Sequence, residues 1–165
     1  MEVLARTQLG RLACAHRMQP YVVPINFACR DDWLYSFSVL GQKIRWMRAN
    51  PLVCVEADQM RRELWATIVV FGRYEELPDT PQFRNERTFA FNLLQHRAMW
   101  WEHGSAKETP GRMTPAAPVF YRIKIEKITG RCAAADQEVL GTKHAKDHPD
   151  EQEWLHRILR RVRQT

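Results

Sequence analysis

The chain has 165 residues, 45% of them hydrophobic and 27% charged, with a formal net charge of +6. That is enough for one domain with a real core and too little for two, and it excludes a disordered or fibrous chain. The positive charge favours a phosphate-bearing ligand, but Lys and Arg are scattered among acids with no basic arm, so nucleic acid is not expected as a partner.

The N-terminal residues carry no apolar signal-like region and no stretch approaches a bilayer span, which predicts a cytoplasmic protein with no membrane partner. Cys14, Cys29, Cys54 and Cys132 lie far apart without a C-x-x-C pair. They predict buried, reduced thiols and no metal site.

Two strand-like runs, 9–15 and 20–29, flank the polar turn His16-Arg17-Met18-Gln19, and a third run follows at 33–38. Pro24 has no N–H for a ladder, so one side of its strand must be an edge, a bulge or the wall of a ligand site. Asn26 is a polar group among apolar neighbours. A buried carboxamide there needs partners, from a ligand or from backbone at a bulge.

The stretch 36–43 holds Ser36, Ser38, Gly41, Gln42 and Lys43, with two of the three serines of the chain. It reads as a strand end, a short loop and a helix that opens on Gln42-Lys43 and stops before Pro51. The first turn of a helix offers unpartnered N–H groups and the positive end of the macrodipole, which stabilise a phosphate. Lys43 would add a charge and the two hydroxyls neutral donors. A polar turn before an ordinary helix accounts for the same residues, because a lone G-x-K is a weak motif.

Residues 52–58 alternate as a half-buried strand and 59–63 are polar. The longest strand candidate follows at 64–77, with Thr67 where it turns apolar. Thr80 and Pro81 then suit the N-cap and first position of a helix that ends near Gln95 or runs on to Glu102, with Phe83, Ala90, Phe91 and Leu94 as its apolar face. Met99, Trp100 and Trp101 form an aromatic cluster beyond it. A loop at 107–118 leads to a last strand at 119–129 with one wet face. Residues 150–163 have the pattern of an amphipathic helix. Six strands with inserted helices predict one mainly β domain over 1–165, closed by antiparallel, Greek-key-like pairing, with 133–165 as a C-terminal helical extension.

Several motifs now stand in one order: Pro-Tyr-Val-Val-Pro-Ile-Asn-Phe (20–27), Leu-Tyr-Ser-Phe-Ser-x-x-Gly-Gln-Lys (34–43), Trp-Met-Arg-Ala-Asn-Pro (46–51), Val-Cys-Val-Glu-Ala-Asp (53–58) and Trp-Ala-Thr-Ile-Val-Val-Phe-Gly-Arg-Tyr-Glu-Glu-Leu (65–77). This order resembles the pyridoxamine 5'-phosphate oxidase-like FMN-binding split barrels, nearest the branch that includes the nitroimidazole-resistance proteins. The resemblance implies a six-stranded antiparallel split β-barrel that forms a homodimer with FMN at the subunit interface. It implies that Gln42 and Lys43, with Ser36, hold the FMN phosphate, in the loop that also carries Ser38 and Gly41. Pro24, Ile25, Asn26 and Phe27 and the backbone of Tyr35, Ser36 and Phe37 would lie along the isoalloxazine, with Asn26 and Thr67 at its polar edge. Trp100 and Trp101 would come from the other subunit or cap their own site; core or dimer packing suits them equally. The chain departs from the family pattern at Phe37, where relatives often carry His, and in having no counterpart of the C-terminal Trp and Arg motif that grips pyridoxamine 5'-phosphate.

The implied activity is an FMN-dependent oxidoreductase that reduces a small organic acceptor with a nicotinamide donor. A non-catalytic flavin-binding or flavin-storing module is the alternative from another class, and F420 is an alternative cofactor. A haem-binding split barrel using His96, His103, His144 or His148 is a third reading. Zinc and serine hydrolase chemistry lack H-E-x-x-H and G-x-S-x-G, and no side chain stands out as a catalytic acid or base.

Overall fold

The computed structural model describes residues 2–61, 64–95 and 117–134. The expectations for Trp100, Trp101, His96, His103, His144, His148, the 107–116 part of the loop and the C-terminal extension beyond 134 lie outside these residues.

A tight hairpin opens the sheet. Strands β1 (Leu9–His16) and β2 (Gln19–Asn26) are joined by Arg17 and Met18, whose φ angles are 47° and 65°. Both are positive, as a two-residue turn matched to strand twist requires. The predicted 20–29 strand does not run through. The N–H of Phe27 donates to the Gln8 carbonyl (2.9 Å), in register with the β1–β2 pairing, and the ring is buried in the core. The chain resumes as β3 (Ala28–Arg30), turns at Asp31 in the left-handed region (φ 51°) and returns as β4 (Trp33–Ser38). This break makes seven strands from the six expected.

Helix α2 (Gln42–Ala49) follows β4, with Ile44 and Met47 buried beneath it. Strand β5 (Leu52–Arg61) runs past the expected 58, because Met60 and Arg61 pair with Trp65 and Leu64 of β6 (Leu64–Leu77). Pairing satisfies the backbone whatever the polarity of the side chains. A 3-10 turn at Pro81–Phe83 opens α3 (Arg84–Leu94), and Thr80 precedes it without a side-chain cap bond. Ala90 and Leu94 are buried, whereas Phe91, predicted on that face, is 54% exposed. Strand β7 (Val119–Ala134) completes an all-antiparallel sheet in the order β2-β1-β5-β6-β7-β4-β3. The short helix α1 (Glu2–Arg6) was not legible in the sequence; Val3 and Leu4 are buried, so tertiary burial rather than propensity holds it.

The sheet curls around one core and carries a smaller one outside. Inside lie Leu12, Ile25, Phe27, Leu34, Val55, Val70, Tyr74, Tyr121 and Ile123, closed by Ile44 and Met47 of α2. Outside, Ala90 and Leu94 of α3 pack on Tyr35, Leu77 and Phe120. The face of β7 expected to be wet is therefore covered at its start, where Phe120 is buried and lies under the Arg87 guanidinium. Gly72 marks a bulge in the β6–β7 pairing, and a Cβ there would run into the Lys124 carbonyl.

Candidate functional site

Strand alternation turns Leu34, Ser36 and Ser38 inward and Tyr35 and Phe37 outward. The outward rings pack on the α3 side, Tyr35 against Phe89 and Phe37 against Phe120, each at 5.4 Å between centroids. The Ser36 hydroxyl, 1% exposed, donates to the backbone carbonyl of Asn26 at 2.7 Å. That bond and the pairing of Ala28 with Tyr35 bring the predicted 24–27 and 35–37 segments together. Ile25 and Phe27 are wholly buried, and their side chains belong to the core. Pro24 is exposed on β2, the edge strand, where a missing N–H breaks no ladder.

Asn26 is the anomaly of this region. Its side chain is 2% exposed, and neither Nδ2 nor Oδ1 has a hydrogen-bond partner among the described residues. A buried polar group left in that state costs about 1–3 kcal/mol. The carboxamide presents one acceptor and two donors, which match the amide-like edge of a planar heterocycle.

The same β4 leads into the start of α2. Gly41 is extended (φ −143°, ψ −166°) and no side chain caps the helix. A Cβ on Gly41 would approach only the Val39 carbonyl, at 3.8 Å, so the backbone lies open to a ligand. Gln42 is exposed and Lys43 half-buried beside these N–H groups. An uncapped first turn with a lysine beside it is the arrangement an anion seat would use. Ser36 directs its proton to the Asn26 carbonyl and away from the start of α2; Ser38 is buried as well.

The far end of α2 is tied down. Arg48 makes a bidentate pair with Glu76 of β6 (Nε to Oε2 and Nη2 to Oε1, both 2.7 Å). The Tyr74 hydroxyl donates to Oε2 at 2.8 Å. The Arg48 hydrogen bonds hold the Glu76 carboxyl below its usual range, against the opposing effect of burial. Burial first, and then the bond to Glu76, push the Tyr74 phenol well up, so it stays protonated. The 74–76 alternation places Tyr74 and Glu76 on one face, but nothing in the sequence pointed to Arg48 as their partner.

Thr67 is placed elsewhere. Its hydroxyl donates to Glu56 (3.0 Å), within a network in which Arg11 bonds both Glu56 (2.9 Å) and Asp58 (2.7 Å). The described contacts join it to this outer sheet face and not to Asn26. Cys14 is a buried thiol, its pKa pushed up by burial, while Cys29, Cys54 and Cys132 are only half-buried. No helix among the described residues is long and apolar enough to cross a membrane.

An open antiparallel barrel with a helix inserted after β4 is the split-barrel architecture. The profile of one family, described as pyridoxamine 5'-phosphate oxidase, matches residues 1–132, and the chain belongs to that family. It is 42% identical over 137 residues to an uncharacterised protein of Rhizobium meliloti (strain 1021), covering 82% of this chain and 91% of the other. Among solved structures it is similar to an FAD-binding protein from Mesorhizobium loti, with a TM-score of 0.67 and 43% identity over 81% of this chain and 90% of the other. A candidate 5-nitroimidazole antibiotic resistance protein from Bacteroides thetaiotaomicron shares the fold, with a TM-score of 0.57 and 17% identity over 79% of this chain and 80% of the other.

Proposed function

We propose that the protein binds FMN and works as an oxidoreductase, taking electrons from a reduced nicotinamide and delivering them to a small organic acceptor. The observation that carries the flavin reading is the orphaned, buried carboxamide of Asn26. It sits where two strand segments meet, and β4 runs from there to the open start of α2. In this reading the first-turn N–H groups, Gln42 and Lys43 hold the phosphate, and Asn26 bonds the polar edge of the ring. The backbone of Pro24 to Phe27 and Tyr35 to Phe37 lines its flank. When bound, the flavin supplies two-electron chemistry, and the chain supplies orientation and water exclusion.

FAD is the second reading, because a relative 43% identical to this chain is described as FAD-binding. The same seat would take the phosphate next to the ribityl chain, with the adenylate leaving past exposed Gln42. The reading extends to a homodimer with flavin at the subunit interface. Support comes from the outer sheet face, where Val22, Cys54 and Phe71 fall on one row across β2, β1, β5 and β6, with Val22 60% and Phe71 44% exposed.

An absorbance spectrum of the purified protein, with mass spectrometry of whatever denaturation releases, tests the cofactor. Oxidised-flavin bands with FMN in the supernatant are expected; FAD would select the second reading. A colourless protein that ignores added FMN and FAD would overturn both. Nicotinamide oxidation that depends on an added electrophile separates the enzyme from a storage module, and light scattering with and without flavin tests the dimer.

A further inference from the structure

We infer that Glu76 is a positioning residue for the phosphate seat: by gripping Arg48 it fixes the orientation of α2, and with it the first-turn N–H groups, Gln42 and Lys43. This rests on the flavin-phosphate reading above.

The start of α2 has no side-chain cap, so its aim is set from other parts of the helix. Ile44 and Met47 bury against the barrel, but apolar contact has little directional content. Two directional bonds hold the chain as it leaves the helix. Asn50 Nδ2 donates to the Ala15 carbonyl (3.1 Å), and the Tyr74 N–H donates to the Pro51 carbonyl (2.8 Å). They make a pivot. The Arg48 fork on Glu76 grips the helix body itself, and a planar bidentate pair resists rotation in a way a single bond does not. Oε2 of Glu76 also accepts the Tyr74 hydroxyl, so one residue pair of β6 holds both the helix and its exit. From Arg48 to Lys43 the helix rises roughly 7.5 Å, and a tilt of about 10° over that lever moves the first turn by about 1.3 Å. That is enough to misplace hydrogen bonds whose lengths span only about 0.5 Å. The Arg48 side chain is 47% exposed, and a pair so placed contributes little to stability, so its effect is geometric.

The test is a titration of the full-length protein, stripped of flavin, with FMN and with riboflavin, which lacks the phosphate. Wild type, Glu76→Gln and Arg48→Lys are compared, the last keeping the charge and losing the fork. Wild type is expected to prefer FMN strongly. In both variants FMN affinity should fall about threefold while riboflavin affinity stays put, so the preference shrinks by that factor. A preference kept in both variants, or equal losses for the two ligands, would overturn the positioning role and leave the phosphate seat standing. A wild type that binds riboflavin as well as FMN would overturn the phosphate reading itself, and the role of Glu76 with it. Arg48→Lys is a surface change, so the test survives if Glu76→Gln does not fold.

Discussion

Glu76 and Asn26 are polar side chains on the inner side of the sheet, and the fold treats them in opposite ways. Glu76 receives two bonds from Arg48 and one from Tyr74, so its carboxylate is saturated. Asn26 is the more deeply buried, and its carboxamide has no partner among the described residues. A chain able to build the first arrangement is not short of means to satisfy the second. The bonded group holds the frame, and the orphaned one is where, on the flavin reading proposed above, a ligand would complete the structure.

That contrast can be broken most forcefully at the anion seat. Lys43→Ala should weaken FMN binding by about 1.5–3 kcal/mol, the worth of a charge-assisted bond to a phosphate. Riboflavin should bind unchanged, and a flavin titration with both ligands reads the difference. An unaltered FMN affinity would remove Lys43 from the seat. Asn26→Leu sharpens the contrast from the other side. With the orphaned carboxamide gone, the flavin-free protein should gain about 1–3 kcal/mol in denaturant unfolding while losing affinity for riboflavin and FMN alike. A loss of stability instead would mean that the carboxamide is needed by the fold.

The smallest effect concerns pH. The Glu76 carboxyl is depressed in the folded state, so the stability it adds is fully present above about 4.5 and is lost as the pH falls through its folded value. Glu76→Gln should flatten that acid limb of the stability curve by about 1 kcal/mol or less, as expected for a partly exposed pair. Melting temperatures between pH 6 and 3 would show it; an acid limb of unchanged slope would assign the loss to other carboxylates.

Much of the frame was legible because it is local. The hairpin at Arg17-Met18, the long run of β6 with its apolar centre and the helix between Gly41 and Pro51 each follow from short-range pattern. Hidden from that pattern was what depends on distant partners. The run divides at Phe27 because residues up to Asn26 pair with β1 and Ala28 to Arg30 pair with β4, although 20–29 reads as one apolar run. The polar 59–61 stays in β5 because β6 pairs with it. At the site, the Ser36 hydroxyl was expected on the phosphate, and only the fold shows it turned to Asn26. Arg48 and Glu76 are separated by 28 positions and carry no motif. Thr67 is a candidate for the flavin's polar edge by resemblance, and only the fold shows its hydroxyl bonded to Glu56.

The bulge beside Gly72 also governs which kinds of genetic change this fold can absorb. On β6 the inward positions stay even throughout, from Ala66 to Glu76. On β7 they are odd at Tyr121, Ile123 and Ile125, opposite Glu76, Tyr74 and Gly72, and even at Ile128, Gly130 and Cys132. Parity changes across Glu126 and Lys127, which act like a one-letter shift between two reading frames. Substitutions at either position leave both frames in phase. Loss of one of them would put half of β7 inside out, carrying Tyr121 and Ile123 to the α3 side and Phe120 and Arg122 into the barrel. Among descendants of this chain, this point should drift freely in identity and hardly at all in length.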